Sequence, residues 1–87
     1  MNVILHRDFE KKFAKLDAKL RLKFIERKDM FLADPSHPFL NNHELHREWQ
    51  GCRSINVTGN YRAIFREIGK DTIEFLDIGT HPELYGS

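Results

Sequence analysis

Five histidines are spread through this 87-residue chain, and their spacing is the first place to look for chemistry. His43 and His46 stand three apart, which on a helical turn presents two imidazoles to one metal ion, with His37 or His81 as a third ligand. No cysteine pair or metalloprotease-type motif accompanies them, and polar histidines in a connector are usually solvated, so neither a metal site nor a cofactor is expected. Cys52 with a remote histidine has the parts of a thiol nucleophile, but a lone strand cysteine is more often a small buried hydrophobe. His81 is placed differently. It follows the last apolar segment directly in Gly79-Thr80-His81-Pro82-Glu83-Leu84-Tyr85, and a rigid strand end can aim a catalytic side chain. The alternative for His81 is a surface loop residue ahead of a packed tyrosine.

The elements that must position these groups are legible from periodicity. Asn2 to Leu5 is short, apolar and β-branched, which suits a strand. Asp8 is a candidate cap for a helix in which Phe9, Phe13, Leu16 and Leu20 share one face and lysines occupy the others. A second helical pattern, with Leu20, Phe24 and Phe31 on one stripe and Leu22, Ile25 and Leu32 beside it, runs to Ala33 and stops at Asp34-Pro35. The two form a helical hairpin with a break near Asp17-Lys19. Residues 34–51 read as a long irregular connector, and connectors of that length in small domains are often functional. From Cys52 to Thr58 the period becomes two, with Arg53, Ile55 and Val57 on one side and Ser54, Asn56 and Thr58 on the other. Tight turns at Gly59-Asn60 and Gly69-Lys70-Asp71 lead into strands at Tyr61–Ile68 and Thr72–Gly79, which must run antiparallel. The order β-α-α-β-β-β predicts an α+β fold, a small antiparallel sheet with the helical hairpin packed on one face.

Composition sets the outer limits. Forty per cent hydrophobic residues in 87 positions support one domain, residues 1–87, and no second core. Fourteen basic residues against 13 acidic exclude a histone-like polycation and a self-repelling disordered chain. The balance conceals a gradient, net +5 over residues 1–28 and net −4 over residues 29–87. Lys11, Lys12 and Lys15 belong to the basic part, which suits contact with nucleic-acid phosphates or an acidic partner, or else a solvated helix face. No apolar run approaches the ~18 to 20 residues of a membrane span. With no export signal and one cysteine, a reducing, cytoplasmic location is the expectation.

Read in order, FEKKFAKLD, NHELHREWQGCRSINV, GNYRAIF and IGTHPELYG resemble the RelE/ParE superfamily of bacterial type II toxins, and within it the YafQ-like and RelE-like messenger-RNA interferases. The resemblance covers nearly the whole chain and implies a twisted antiparallel sheet with two N-terminal helices. It further implies cleavage of messenger RNA on the translating ribosome, and a tightly bound antitoxin that holds the toxin inactive. By motif, His81 matches the principal catalytic histidine, His43 a second active-site histidine, Arg62 a basic residue at the scissile phosphate and Tyr85 an aromatic that packs on RNA bases. These types suit metal-free cleavage, which needs a base for the ribose 2′-OH, an acid for the leaving 5′-oxygen and positive charge on the phosphorane. Tyr85 would stack on a base, as single-stranded RNA recognition requires, and the basic helices would touch ribosomal RNA.

The chain departs from the pattern at three points. Asn56 stands where YafQ-like toxins tend to have histidine, and Asn60 where they commonly have aspartate, leaving both as RNA-binding rather than proton-transferring groups. Asp77 stands where many relatives carry a basic residue, a charge that Arg53 or Arg66 would have to replace. Two competing expectations follow: a ParE-like protein that blocks DNA gyrase without cutting RNA, and a decayed domain that only binds RNA or antitoxin.

Overall fold

The computed structural model describes residues 1–86. Strand β1 (Asn2–Leu5) leads into helices α1 (Arg7–Lys15) and α2 (Ala18–Ala33). Then come a two-residue strand β2 (His43–Glu44), strands β3 (Arg53–Asn56), β4 (Tyr61–Ile68) and β5 (Thr72–Thr80), and a short helix α3 (His81–Tyr85). The sheet has five strands in the order β1-β5-β4-β3-β2. The meander β3 to β5 is antiparallel, as expected, and β2, which lies in the segment read as a connector, adds to it antiparallel at β3. β1 instead pairs parallel to β5, with Asn2 opposite Thr72 and Leu5 opposite Phe75. A parallel neighbour needs a long crossover, and the helices and meander between β1 and β5 supply one.

Both helices pack on one face of the sheet. Phe9, Phe24 and Phe31 meet Ile55, Val57, Ala63, Phe65, Ile73, Phe75 and Ile78 in the main core. Phe24 lies 5.0 Å from both Phe9 and Phe75, and Phe31 lies 4.9 Å from Phe65, centroid to centroid. Each buried phenylalanine contributes about 1.5–3 kcal/mol, and each edge-on or tilted pair about 0.5–1.5 kcal/mol more. The turn between the helices falls at Asp17, whose Oδ1 accepts from the Leu20 N–H at 2.9 Å. The cap of α1 is His6 rather than Asp8: His6 Nδ1 accepts from the Asp8 N–H at 3.0 Å, and Asp8 sits in the first turn. Of the two apolar stripes on α2, only the Phe24–Phe31 one is buried. Leu22, Ile25 and Leu32 remain 66%, 42% and 38% exposed, because a single helix on a sheet covers only the side it touches.

The opposite face carries a second, smaller core of Leu45, Cys52, Ile64 and Leu84, with Trp49, Leu76 and Tyr85 packed against it. Leu76 enters it through a register shift between β4 and β5, where Phe65 faces Phe75 but Ile64 faces Asp77. The connector, read as irregular, is therefore ordered. Leu40 anchors it in the main core and Leu45 in the second, and Pro38–Leu40 and Arg47–Trp49 form single 3-10 turns. A two-residue strand and isolated turns leave no period to detect.

Candidate functional site

Register fixes what stands beside what on the second face. Across β2, β3 and β4, His43 faces Ser54 and Ser54 faces Ile64; one step on, Asn56 faces Arg62 and Arg62 faces Gly79. Directly opposed residues share a face, with Cβ atoms about 4.5–5.5 Å apart. His43, Ser54, Asn56 and Arg62 therefore form the polar part of one floor, and Ile64 its apolar part. Ile55 and Val57 point the other way into the main core, as the alternation over residues 52–58 requires.

The wall of the site is α3, an element absent from the sequence reading, which ends at the strand. Thr80 caps it, and Glu83 Oε1 accepts from the Thr80 N–H at 2.7 Å and from the Thr80 hydroxyl at 2.9 Å. These bonds hold the Glu83 carboxyl below its ordinary value, assisted by Lys12 and opposed by burial. Leu84 is buried in the second core, and the Trp49 indole N–H donates to the Leu84 carbonyl at 3.0 Å. Gly86 closes the helix in the left-handed conformation (φ 78°), its N–H donating to the Pro82 carbonyl. Gly79 lets the helix lie on the strand: a Cβ there would stand 3.2 Å from Glu83 Oε1 and 3.3 Å from Glu83 Cβ. On α3, His81 and Tyr85 are one turn apart, ring centroids 4.6 Å apart and tilted by 59°. The sequence signal for this helix was present in Thr80, Pro82, Glu83 and Gly86, a capping box with an early proline and a C-terminal glycine.

Floor and wall enclose an open cleft of about 400 Å³ lined by Asn41, His43, Glu44, Leu45, His46, Ser54, Arg62, His81 and Tyr85. His43 Nδ1 lies 2.8 Å from the Asn41 carbonyl oxygen. A carbonyl only accepts, so Nδ1 carries the proton and the neutral imidazole keeps its lone pair on Nε2, the form a general base requires. Arg62 Nη1 donates to the carbonyls of Thr58, Gly59 and Tyr61 at 3.0–3.2 Å, which fastens the guanidinium to the β3–β4 turn. Glu44, His46 and Ser54 are members of the cleft that the sequence motifs do not mark, His46 being legible only as a candidate metal ligand. Among the described residues, no group of three or more His, Cys, Asp or Glu is placed to hold a metal ion.

The other expected residues distribute unevenly. Asn60 borders an adjoining recess shared with Arg62 and His81. Asn56 lies on the site face of β3, half-buried, with its Oδ1 enclosed and unpaired. Arg53 is on the helix-side face, where its Nε donates to Asn42 Oδ1 at 2.8 Å beside Pro35–Pro38, outside the cleft. Arg66 pairs with Glu74 at 2.8 Å, so neither arginine brings its charge to the vicinity of Asp77. That role falls to Lys12, whose Nζ lies 2.7 Å from Asp77 Oδ1. Lys11 and Lys12 border a separate cleft of about 550 Å³ with Trp49 and Asp77. Lys12 and Lys15 border a recess with Gly79 and Glu83 at the base of α3. The Cys52 side chain is buried, and burial pushes its thiol up against a weaker opposing pull from Arg66. That keeps the thiol protonated and away from nucleophilic chemistry. No helix among the described residues is long and apolar enough to cross a membrane.

Three comparisons bear on this arrangement. The family model described as ParE toxin of type II toxin-antitoxin system, parDE, matches residues 3–85. No curated protein sequence matches. Among solved structures, a YoeB/ParE toxin from Agrobacterium tumefaciens superposes with TM-score 0.78 at 16% identity, covering 93% of this chain and 99% of its own. A YafQ variant from E. coli gives TM-score 0.73 at 20% identity, with 98% of each chain covered. The archaeal RelE–RelB complex from Pyrococcus horikoshii gives 0.72 at 21% identity, covering 91% of this chain and 92% of that one. At these identities the likeness is one of fold.

Proposed function

The chain belongs to the ParE toxin family of type II toxin-antitoxin systems, within the RelE/ParE superfamily, and from that premise we propose a ribosome-dependent messenger-RNA endonuclease held inactive by a cognate antitoxin. The observation that carries this reading is the shared cleft: His43, Arg62, His81 and Tyr85 line one cavity, and His43 offers Nε2 as a base. His43 takes the proton of a ribose 2′-OH, the 2′-oxygen attacks the adjacent phosphorus, and His81 protonates the departing 5′-oxygen. The products are a 2′,3′-cyclic phosphate and a 5′-hydroxyl, with no metal in the step. Arg62 faces the same cavity with a positive charge suited to the extra negative charge of the phosphorane. Tyr85, beside His81, gives a base a surface to stack on and so aligns the 2′-oxygen with the phosphorus. Relatives of this fold were crystallised with their antitoxins, which supports a protein partner for this chain as well.

One observation favours a second reading: the family model that matches is named for ParE, and a ParE-like chain is the one expected from the resemblance to block DNA gyrase. A gyrase inhibitor has no use for two histidines in one cleft. The test is induced expression of the chain and of His81→Ala in a bacterial host, with primer extension on an abundant messenger RNA. Growth arrest with new 5′ ends that vanish in His81→Ala supports the nuclease. Arrest without new ends, and with supercoiling inhibited in vitro, supports the ParE-like reading.

A further inference from the structure

Three buried side-chain polar atoms find no hydrogen-bond partner among the described residues, and two of them, Ser54 Oγ and Asn56 Oδ1, sit two residues apart on the site face of β3. The third, Arg27 Nε, belongs to α2. Leaving a hydroxyl both buried and unpaired is costly, and a fold retains such groups where something else completes them. Ser54 is 0% exposed, lies opposite His43 in the register, and lines the cleft with His43, Arg62, His81 and Tyr85. Across the face its neighbours are His43, whose Nδ1 is engaged with the Asn41 carbonyl, and Ile64, which is apolar; along the face lies Asn56, whose own oxygen is unpaired, and none of the three satisfies the hydroxyl.

We propose that Ser54 is a substrate-binding residue, its hydroxyl donating to the 2′-oxygen of the ribose whose proton His43 removes. The assignment rests on the nuclease reading and deepens it. In that pose the 2′-OH donates to His43 Nε2 and its oxygen accepts from Ser54 Oγ–H. The two protein groups come from directly opposed positions on neighbouring strands, close enough to share one ligand atom. Recognition of the 2′-oxygen by a rigid strand residue distinguishes RNA from DNA at the cleaved nucleotide.

The test uses the full chain and ribosomes programmed with a messenger RNA whose cleavage-site nucleotide is ribose or 2′-deoxyribose. Cleavage of the ribose form by the unaltered chain comes first, since its absence overturns the nuclease reading and this inference with it. Binding is then compared in a His81→Ala background, where the RNA stays intact. The ribose form should bind about tenfold more tightly, and Ser54→Ala should cut that preference to about two- to threefold, the share of one hydrogen bond. A preference unchanged by Ser54→Ala overturns the inference while leaving the nuclease reading in place. Thermal melting separates a structural role: removing an unpaired buried hydroxyl should leave Tm equal or higher, and a fall of several degrees would identify Ser54 as a packing residue instead.

Discussion

The carbonyl oxygen of Asn41 lies 2.8 Å from Nδ1 of His43, and Asn41 reaches that place in the left-handed conformation, φ 44° and ψ 47°. Asparagine tolerates this region, whereas a β-branched residue there is strained by about 1–2 kcal/mol. Asn41→Gly should therefore keep the carbonyl in position and retain cleavage within a few fold. Asn41→Val should reduce cleavage by about tenfold or more, because the backbone that fixes the tautomer of His43 is displaced. Rates on programmed ribosomes check this, with His43→Ala as the reference at about 10²- to 10⁴-fold loss. Equal activity of Asn41→Val and the unaltered chain would separate the carbonyl from catalysis.

Trp49 and Leu84 make the second link between connector and site. The indole N–H donates to the Leu84 carbonyl at 3.0 Å across 35 positions of chain. Trp49→Phe keeps an aromatic ring in the second core and removes the donor, at a cost of about 1 kcal/mol. For a chain of this size that is a fall in Tm of about 4–8 °C. Because the lost bond holds the helix bearing His81 and Tyr85, kcat should fall by more than stability alone explains at a temperature where the variant is fully folded. A variant with lower Tm and unchanged kcat would make Trp49 a packing residue only.

Glu83 ties the site to pH. Its carboxyl is held below the ordinary value by the Thr80 N–H and hydroxyl, so the charged form is the one the fold favours. A depressed folded value stabilises at pH above the unfolded carboxylate value, about 4.3, and that contribution disappears as pH falls through the folded value. The group is exposed, so the effect is small and local. Glu83→Gln should lower Tm slightly at pH 7 and leave it unchanged at a pH below the folded value. Glu83→Ala should cost about 0.3–1.5 kcal/mol at neutral pH. Melting curves of the three chains across pH 2.5–7 read the difference directly, and parallel curves for Glu83→Gln and the unaltered chain would show that the charge of Glu83 contributes nothing to the cap.

How much of this was legible in the sequence follows from which signals are local. The hairpin of helices, the meander and the alternation of Ser54 and Asn56 against Ile55 and Val57 are periodic, and periodicity survives in one dimension. The parallel pairing of β1 with β5 is not local, since nothing in Asn2–Leu5 names its partner. The motifs point to His43 and His81, yet their shared cleft depends on α3 being tied to the connector through Trp49 and Leu84, a contact between segments 35 positions apart in the chain. Arg53 shows the converse. Its strand was read correctly, and the same alternation that gives Ser54 to the site turns Arg53 away from it. Ser54 escaped notice because serine in a strand has no motif; only its burial and missing partner mark it.

The ion pair of Lys12 with Asp77 refines what the basic helices can do. Lys11, Lys12 and Lys15 are equivalent in the sequence as phosphate contacts, but Lys12 Nζ already holds Asp77 Oδ1 at 2.7 Å, while Lys11 and Lys15 are exposed and form no ion pair among the described residues. A half-exposed pair contributes little to stability, about 0–1 kcal/mol, so Asp77→Asn should leave Tm nearly unchanged. It should, however, release Lys12 toward RNA. Each phosphate contact adds about 0.7 to the slope of log K against log salt for a single strand, so Asp77→Asn should steepen the salt dependence of ribosome binding by up to that amount. Lys11→Ala with Lys15→Ala should flatten it by about 1.4, while Lys12→Ala alone should change it little. A Lys12→Ala slope that falls as far as Lys11→Ala would show that the pair opens on binding and that Asp77 competes with RNA for the same cation.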